Sequence, residues 1–290
     1  MKNLRIAIIG AGIIGLYLAW KLSERGEKVT VFEKKEKIGK KACSGLFSER
    51  ILGFISESQK LIQNQINSVL IHFPKKKLRI EFTRKFLVMN HFDLDNLVAN
   101  LAEKAGAKII LNHPVNSIPQ GFDRIIGCDG PNSIIRKKLG LAEPVFRLAI
   151  QGFIQKEDYS DFVETWPVSE GFTLQPFSSK GAGFIWKIPR GEEIEYGIIG
   201  NSREVKNIFN DFLKKNNLRL EKLESALIPQ GFSIPKNNSI TICGDASGLT
   251  KSWSGGGVIW GLLAANILLK NFPDFLKYQK EVKRFFLPKI

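Results

Sequence analysis

The first thirty-three residues contain two apolar runs separated by a glycine-rich turn and a helical segment. Residues 6–9 (IAII) and 29–32 (VTVF) are runs of the kind that form strands buried within a parallel sheet. Between them, residues 16–26 (LYLAWKLSERG) are expected to form a helix. The order strand, helix, strand therefore predicts a βαβ unit at the start of the chain.

The rest of the chain divides into a helix- and strand-containing part and a part with short alternating runs. Residues 145–200 are rich in Phe, Trp, Gly and Pro, a pattern typical of an antiparallel sheet. The other predicted strands are 68–73, 77–82, 108–111, 115–118, 124–128 and 239–243, and the other predicted helices are 92–106, 203–225 and an apolar helix after residue 257. Gly106 is the expected C-cap of the helix before it.

These elements predict an α/β fold, a Rossmann-like domain with an inserted antiparallel β-sheet domain. We expect residues 1–66, 84–140 and 236–290 to form the discontinuous Rossmann-like domain. Residues 67–83 and 141–235 then form the inserted β-rich domain.

The turn after the first strand has the spacing of a dinucleotide-binding motif. Gly10 is expected to make the tight turn, Gly12 to let a pyrophosphate approach the backbone, and Gly15 to let helix and strand pack closely. Glu33, at the end of the second strand, is placed to accept hydrogen bonds from an adenosine ribose. The motif alone does not separate FAD from NAD. Ile14, Lys34 and Val115 complete the cofactor contacts that we expect in this half.

Two further predicted strands each end beside an Asp and a Gly. Asp129-Gly130 follows the run RIIGC, and Gly244-Asp245 follows SITIC. Because ligands bind at the carboxyl edge of such sheets, each aspartate is placed to hold a ribose or ribityl hydroxyl, or else is part of a plain turn. Gly255, Gly256 and Gly257 would bring backbone amides close to a flat ring ahead of the last helix.

This order of motifs resembles the flavoprotein family of para-hydroxybenzoate hydroxylase and geranylgeranyl reductase. The family's DGxxSxxR segment is matched by Asp129, Gly130, Ser133 and Arg136, and its GDA segment by residues 244–246. The resemblance covers residues 1 to about 270 and implies that the Rossmann-like domain is FAD-binding and that the inserted antiparallel β-sheet domain is the substrate-binding domain. There is no second GxGxxG motif, so a permanent NAD(P)H domain is not implied.

Within this family the chain most resembles the geranylgeranyl reductase branch. Residues 42–45 (ACSG) match the Cys-Gly/Ser-Gly segment that this branch carries after its second strand, and 184–189 (FIWKIP) match its Tyr-x-Trp-x-Phe-Pro signature. The chain departs from the pattern where Phe184 lacks the tyrosine hydroxyl, Ile188 replaces an aromatic residue and Met89 stands in place of an arginine. Relatives of this branch also continue well beyond the last helix, so we expect a C-terminal region that helps to enclose the lipid to be missing.

The resemblance implies roles for several residues of the substrate side. Cys43 would sit over the flavin and take part in proton or substrate handling, or else is a small loop residue. Phe184, Trp186 and Pro189 would line an apolar slot, although alternate aromatics in a sheet also suit a plain core. Trp253 would approach the flavin. Cys128 and Cys243 lie in apolar runs and are expected in the core.

The activity implied is reduction of isolated C=C bonds of a geranylgeranyl-type isoprenoid lipid or prenyl diphosphate. The electron donor would be external: NAD(P)H, ferredoxin or deazaflavin. One alternative is an FAD-dependent aromatic monooxygenase that uses NAD(P)H and oxygen. Another alternative is a non-catalytic flavoprotein or lipid-binding remnant.

Composition adds limits on the partners and the location. The net charge of +15 fits a solvated lysine-rich surface, an anionic membrane or a phosphorylated substrate, and no nucleic-acid motif accompanies it. Lysine runs at 34–35, 40–41 and 75–77 are expected in loops. The three cysteines and three histidines lack metal-ligand spacing. No apolar stretch reaches the ~18 residues that span a bilayer. With no room for a signal peptide, we expect a cytoplasmic protein with possible peripheral membrane contact.

Overall fold

The computed structural model describes residues 3–39, 42–168, 183–201 and 204–290. Its strands are β1 (Arg5–Ile9), β2 (Lys28–Phe32), β3 (Leu46–Ser48), β4 (Ile62–His72), β5 (Lys77–Met89), β6 (Lys108–Ile110), β7 (Arg124–Gly127), β8 (Val145–Ile154), β9 (Phe162–Val168), β10 (Gly183–Pro189), β11 (Ile194–Gly200), β12 (Glu221–Gln230) and β13 (Ile240–Ile242). Its α-helices are α1 (Ile13–Ser23), α2 (His91–Lys104), α3 (Ile134–Lys138), α4 (Val205–Lys215), α5 (Val258–Asn271) and α6 (Phe275–Phe286), and shorter 3-10 turns cover Glu49–Gly53, Ser56–Leu61, Gly244–Ser247 and Leu287–Lys289.

The chain forms two compact units. The first comprises residues 1–40, 92–145 and 229–290, and the second comprises residues 41–91 and 146–228. The predicted α/β fold, with a parallel sheet and an antiparallel sheet, is confirmed.

The first unit is built on a parallel sheet whose described strands run in the order β13-β7-β1-β2-β6. The apolar run of β1 is fully buried, as a central parallel strand requires. Gly127 at the end of β7 pairs with both Ile9 of β1 and Ile242 of β13. These three strands therefore end at one edge of the sheet, and the strand order reverses beside β1, where ligands bind in such sheets.

The helices of the first unit pack on one another and on the sheet. Helix α1 contacts β1, β2 and α5, and α5 in turn contacts α6. Helix α6 is amphipathic, because Phe275, Tyr278, Val282 and Phe286 recur at helical spacing and are all buried. No helix in the described parts of the chain is both long and apolar enough to cross a membrane.

The second unit is built on a sheet whose described strands run in the order β12-β8-β11-β10-β9-β4-β5-β3. Neighbours are antiparallel where the pairing registers are described, except β4 and β9, which are parallel. Alternation along β10 sends Trp186 and Ile188 into an apolar cluster on one face and Ile185 into a cluster on the other. Helix α4 packs on β11 and contributes Phe209 to the second cluster.

Two predicted elements are wrong. Residues 115–118 form no strand, and this segment lies between Pro114 and Pro119, which cannot donate backbone hydrogen bonds. The helix predicted at 203–225 ends at Lys215, because Asn217 adopts a left-handed conformation with φ of 50°. After it, the period-two pattern of residues 221–230 forms β12 instead. Residue 203, like the lysines at 40 and 41, lies outside the described residues.

The boundaries of the two units differ from those of the two predicted domains. Strand β4 begins at Ile62 and β5 continues to Met89, so both are longer than the alternating runs at 68–73 and 77–82. As a result, residues 41–66 and 84–91 lie in the second unit. Residues 141–145 and 229–235 lie in the first unit.

Candidate functional site

The glycines of the first turn differ in what surrounds them. Gly10 has φ of 103°, and a Cβ atom there would collide with the backbone of Cys128. A Cβ on Gly15 would collide with the carbonyl oxygen of Gly10. A Cβ on Gly12, by contrast, would meet nothing within 4 Å. Gly10 and Gly15 are thus required by packing, whereas Gly12 faces open space that an approaching ligand can use.

Helix α1 starts directly after this turn. Its N-cap is Gly12, which offers no side-chain hydrogen bond, and its first turn carries no acidic residue. The backbone N–H groups of such a helix start attract an anion, as does the positive end of the helix dipole. The turn therefore fits the pyrophosphate of a dinucleotide.

Glu33 braces the same turn. Its Oε2 accepts a hydrogen bond from the N–H of Ala11 at 2.8 Å, and its Oε1 accepts one from the N–H of Lys35 at 3.0 Å. Each carboxylate oxygen can accept a second hydrogen bond. The predicted contact of Glu33 with a ribose hydroxyl is compatible with this bracing.

Lys34 and Val115 lie near Glu33 along the chain and the sheet. Lys34 is exposed, and Val115 is half-buried in the irregular segment after β6. The N–H of His113 in that segment donates to the Glu33 carbonyl at 2.8 Å, which holds the segment beside the end of β2. Their contacts with a cofactor stay predictions.

Asp129 accepts hydrogen bonds from the start of helix α3, which its sequence position did not reveal. Its Oδ1 accepts from the Ser133 hydroxyl at 2.6 Å, and its Oδ2 accepts from the Ile134 N–H at 2.6 Å. Ser133 is the N-cap of α3 and accepts from the Arg136 N–H at 3.0 Å. Gly130 has φ of 79°, a conformation that favours glycine in the turn before this helix. The Asp129 carboxylate thus organises the start of α3, and a sugar contact stays a prediction.

Arg136 joins the two Asp-Gly segments. Its side chain is 1% exposed, Nη1 donates to the Ala246 carbonyl at 3.0 Å, and Nη2 donates to the Pro131 carbonyl at 2.7 Å. Nη2 also donates to Glu143 Oε2 at 3.1 Å. Arg136 belonged to the recognised motif, but sequence alone did not show that it reaches a loop 110 residues away.

The second Asp-Gly segment lies against the starts of two helices. Gly244 has φ of 69°, and a Cβ there would come within 3.0 Å of the Ile14 side chain in α1. A Cβ on Gly257, the N-cap of α5, would lie 2.7 Å from Asp245 Oδ1. The Asp245 carboxylate is therefore beside the α5 N-terminus, and the Ile14 side chain serves packing.

The glycine-rich loop before α5 closes on itself. The Lys251 N–H donates to the Gly256 carbonyl at 3.2 Å, and the Gly255 N–H donates to the Lys251 carbonyl at 2.9 Å. Trp253 lies at the tip of this loop and is 61% exposed. The approach of Trp253 to a flavin stays a prediction.

In the second unit, the loop that carries Cys43 is fixed to the sheet. Cys43 is half-buried, and its carbonyl accepts from Nε2 of the buried Gln151 on β8 at 3.2 Å. Gly45 has φ of 61°, and a Cβ there would collide with the Met89 carbonyl. The loop backbone is thus held against neighbouring strands at both ends.

A buried ion pair holds the same loop. Arg190 Nη1 donates to the Ser44 carbonyl at 2.9 Å and to Glu195 Oε2 at 2.7 Å, and Nη2 donates to the Met89 carbonyl at 3.0 Å. Glu195 is fully buried, and its Oε1 accepts from the Trp186 indole N–H at 2.8 Å. Burial raises the pKa of Glu195 to about 7, against the opposing effects of Arg190 and Trp186.

The predicted substrate residues of β10 lie next to the Arg190–Glu195 pair. Trp186 is 8% exposed in the apolar cluster, and its ring occupies the space that a side chain on Gly197 would need. Phe184 packs half-buried against the same cluster, and Pro189 is buried. Trp186 therefore serves the core and the Glu195 hydrogen bond, while its contact with a substrate stays a prediction.

Sequence reasoning missed Arg190 and Glu195. Glu195 stands within the otherwise apolar run of β11, and every residue of that strand is buried. A lone carboxylate in such a run was a detectable signal, since buried charges are paired. The identity of the partner was not detectable in this way.

Comparison with known proteins agrees with this geometry. Residues 5–69 match the family described as FAD dependent oxidoreductase. The chain is 28% identical to digeranylgeranylglycerophospholipid reductase 1 of Methanosphaera stadtmanae, across 91% of this chain and 73% of the relative.

Solved structures share the fold at low sequence identity. A geranylgeranyl bacteriochlorophyll reductase-like protein from Thermoplasma acidophilum superposes with a TM-score of 0.81 at 20% identity, covering 100% of this chain and 85% of the other. The flavin-dependent halogenase CmlS superposes with a TM-score of 0.74 at 15% identity, covering 100% of this chain and 60% of the other. Together with the turn around Gly12, the family match over residues 5–69 indicates that the chain binds FAD and is an FAD-dependent oxidoreductase.

Proposed function

We propose that this FAD-dependent oxidoreductase reduces isolated C=C bonds of a geranylgeranyl-type isoprenoid lipid or prenyl diphosphate. The observation that carries the proposal is the buried network of the second unit, in which Arg190 bonds both the Ser44 carbonyl and the carboxylate that holds Trp186. The two segments with substrate roles in the resemblance, 42–45 and 184–189, are thus joined. The similarity to the Methanosphaera and Thermoplasma proteins supports the same substrate class.

The chemistry divides between the cofactor and the chain. When bound, reduced FAD would supply the hydride that one carbon of the double bond accepts. The other carbon takes a proton, for which the Cys43 thiol is our candidate donor, and water then returns a proton to the thiolate. An isolated alkene is not electron-poor, so the proton must build cationic character on the carbon that accepts the hydride, and the site must exclude water. The apolar cluster with Trp186 and Phe184 provides such surroundings in the second unit.

Arg190 is a positioning residue in this proposal. It fixes the Ser44 carbonyl at 2.9 Å, next to the cysteine, while Gln151 fixes the Cys43 carbonyl at 3.2 Å. These bonds restrict where the thiol can point. The electron donor in the proposal is external and is NAD(P)H, ferredoxin or deazaflavin.

The test is anaerobic reduction of the FAD-loaded protein with dithionite, followed by a digeranylgeranylglycerol phosphate. We expect flavin absorbance to return on lipid addition and the lipid to gain two hydrogens in mass for each double bond reduced. Cys43→Ala should slow this reoxidation at least tenfold while FAD remains bound, and Cys128→Ala is the matched cysteine control. Unchanged lipid mass would overturn the proposal and leave FAD binding intact.

A second candidate is an FAD-dependent monooxygenase acting on a compact aromatic substrate. The observation that favours it is the shared fold with a flavin-dependent halogenase. NAD(P)H consumption with substrate-stimulated oxygen uptake would support this candidate. Bound FAD without turnover in either assay would instead support a non-catalytic flavoprotein or lipid-binding remnant.

A further inference from the structure

The hairpin formed by β4 and β5 exposes apolar and basic side chains next to one another. Phe73 at its turn is 39% exposed, and Leu78 and Ile80 on β5 are 46% and 43% exposed. Residues 75–77 between them are three exposed lysines. We call residues 73–80 the hairpin tip.

The hairpin tip carries positive charge that the protein does not neutralise. Residues 73–85 contain six basic residues and one acidic residue, Glu81. Arg79 pairs with Glu81 at 3.0 Å and with Asp161 at 3.4 Å. Within the described residues, none of the three lysines at 75–77 takes part in an ion pair. These lysines are available to an anionic partner.

Protection of a sheet edge explains only part of this surface. Strand β3 pairs with β5 at Phe86–Val88, so the earlier part of β5 has β4 as its described neighbour on one side alone. Exposed lysines commonly prevent such an edge from pairing with another chain. Exposed Leu78 and Ile80 work against that purpose, because apolar edges promote association. Their combination with lysines instead matches surfaces that enter the headgroup region of a membrane.

One row of paired residues leads from the hairpin tip to the Cys43 loop. Paired residues in a sheet share a face, and each strand is about 5 Å from the next, so five steps span about 25 Å. The row starts at the exposed Leu78 and passes through the buried Trp186. Its members in order are Leu78, Ile71, Thr165, Trp186, Gly197 and Gln151, and the last donates to the Cys43 carbonyl.

We propose that the hairpin tip docks this protein on the surface of an anionic phospholipid bilayer. Phe73, Leu78 and Ile80 enter the headgroup region, and the lysines at 75–77 lie against lipid phosphates. The same face of the sheet then extends from the membrane surface towards Trp186. The part of this inference that concerns delivery of a lipid substrate rests on the proposed function, whereas docking itself does not.

The charge test is sedimentation of the FAD-loaded protein with vesicles of phosphatidylglycerol and phosphatidylcholine. We expect K75E/K76E/K77E to weaken vesicle binding about tenfold or more, since each basic residue near an anionic surface contributes about 1 kcal/mol. The matched control is K280E/K283E/R284E on α6, which lowers the net charge of +15 by the same six units. Binding of the control should stay within about threefold of the unmodified protein.

The apolar test uses L78S/I80S, with L223S as the control at another exposed leucine that is 63% accessible. The double variant should lose the vesicle binding that persists at high salt, because salt screens the lysines and leaves the apolar contribution. L223S should keep it.

Equal weakening in the hairpin and α6 charge variants would overturn the proposal, as would absent vesicle binding or preferential binding of a single-stranded RNA.

Activity separates this inference from the proposed function. K75E/K76E/K77E should reduce detergent-solubilised prenyl lipid at the unmodified rate and vesicle-embedded lipid at a lower rate. If K75E/K76E/K77E loses vesicle binding and neither this variant nor the unmodified protein reduces the lipid, the docking surface is supported and the proposed function is overturned. Equal activity on vesicle-embedded lipid in both proteins would overturn the role of docking in substrate delivery.

Discussion

At the scale of single residues, the three glycines of the first turn make separable contributions. A Cβ on Gly15 would strike the Gly10 carbonyl, whereas a Cβ on Gly12 would meet nothing within 4 Å. Packing therefore forbids a side chain at Gly15 and permits one at Gly12. Only the ligand gives Gly12 a reason to be glycine.

This difference predicts opposite outcomes for two alanine variants. Gly12→Ala should leave the apoprotein's free energy of unfolding within about 0.5 kcal/mol and weaken FAD binding at least tenfold, or about 1.4 kcal/mol. Gly15→Ala should destabilise the apoprotein itself by about 1–3 kcal/mol through overpacking. Urea unfolding of both apoproteins and FAD titration by fluorescence check this pair. Unchanged FAD affinity in Gly12→Ala would contradict the assignment.

Glu195 makes stability depend on pH. Its pKa is raised from 4.5 to about 7 by burial, so the folded state binds the proton more tightly than the unfolded state does. The resulting contribution to stability is fully present below pH 4.5 and is lost as the pH rises through 7. Relative to the unmodified protein, Glu195→Gln should gain stability over that interval, by on the order of 3 kcal/mol.

The measurement is urea unfolding of both proteins at several pH values between 4.5 and 7.5. Glu192→Gln is the control, since Glu192 is exposed three residues away. A difference between Glu195→Gln and the unmodified protein that does not change with pH would show that the Glu195 pKa is ordinary. Glu195→Ala should be more destabilising than Glu195→Gln at every pH, because alanine leaves no side-chain acceptor for the buried Arg190 and Trp186 donors.

At the scale of elements, helix α3 depends on residues outside it. It has five residues, too few to be stable alone, and both Asp129 and Ser133 satisfy N–H groups at its start. Arg136 then fixes the helix to the Ala246 carbonyl. The position of this element is thus set by side-chain hydrogen bonds as well as by apolar packing.

Two variants separate capping of α3 from contact with the cofactor. Ser133→Ala and Asp129→Ala should each lower the free energy of unfolding, by about 1 kcal/mol for the serine and up to about 2 kcal/mol for the aspartate. If Asp129 also holds a sugar hydroxyl, only Asp129→Ala weakens FAD binding beyond this loss. Thermal unfolding of apoprotein and equilibrium FAD titration measure the two effects. Equal FAD affinity in both variants would restrict Asp129 to the structural role.

Elements also show where local patterns mislead. Leucines at positions 218 and 220 follow α4, and these apolar residues led us to predict that the helix continues. The left-handed Asn217 ends the helix, and the following residues find a partner strand in β8. A strand is stabilised by its pairing with a neighbouring strand. The sequence of the strand alone does not show that neighbour, so its local pattern can be mistaken for that of a helix.

At the scale of the whole molecule, the net charge of +15 is not informative until it is located. The lysine run at 75–77 supports a membrane-docking surface only because the fold leaves the neighbouring Phe73 and Leu78 exposed. Other basic groups are neutralised within a unit, as Lys187 is by Asp158 at 2.9 Å and Glu164 at 3.1 Å. Composition alone could not distinguish these two kinds of lysine.

The sequence by itself determined the cofactor turn and the class of fold. Gly10, Gly12 and Gly15 are set by backbone conformation and close approach within a few residues, and apolar runs report burial of parallel strands. Such requirements are local, so they are visible as spacing. Cys43 and Trp186 were also named from sequence, through resemblance rather than geometry.

Only the tertiary structure decided which polar groups meet. Arg190 bonds the Ser44 carbonyl 146 residues away, and Arg136 bonds the Ala246 carbonyl 110 residues away. The row from Leu78 to Gln151 likewise depends on the register of five strand pairs. Partners of this kind are chosen by strand order and register, which depend on the packing of the whole sheet, whereas a sequence pattern records only the period and burial of each strand.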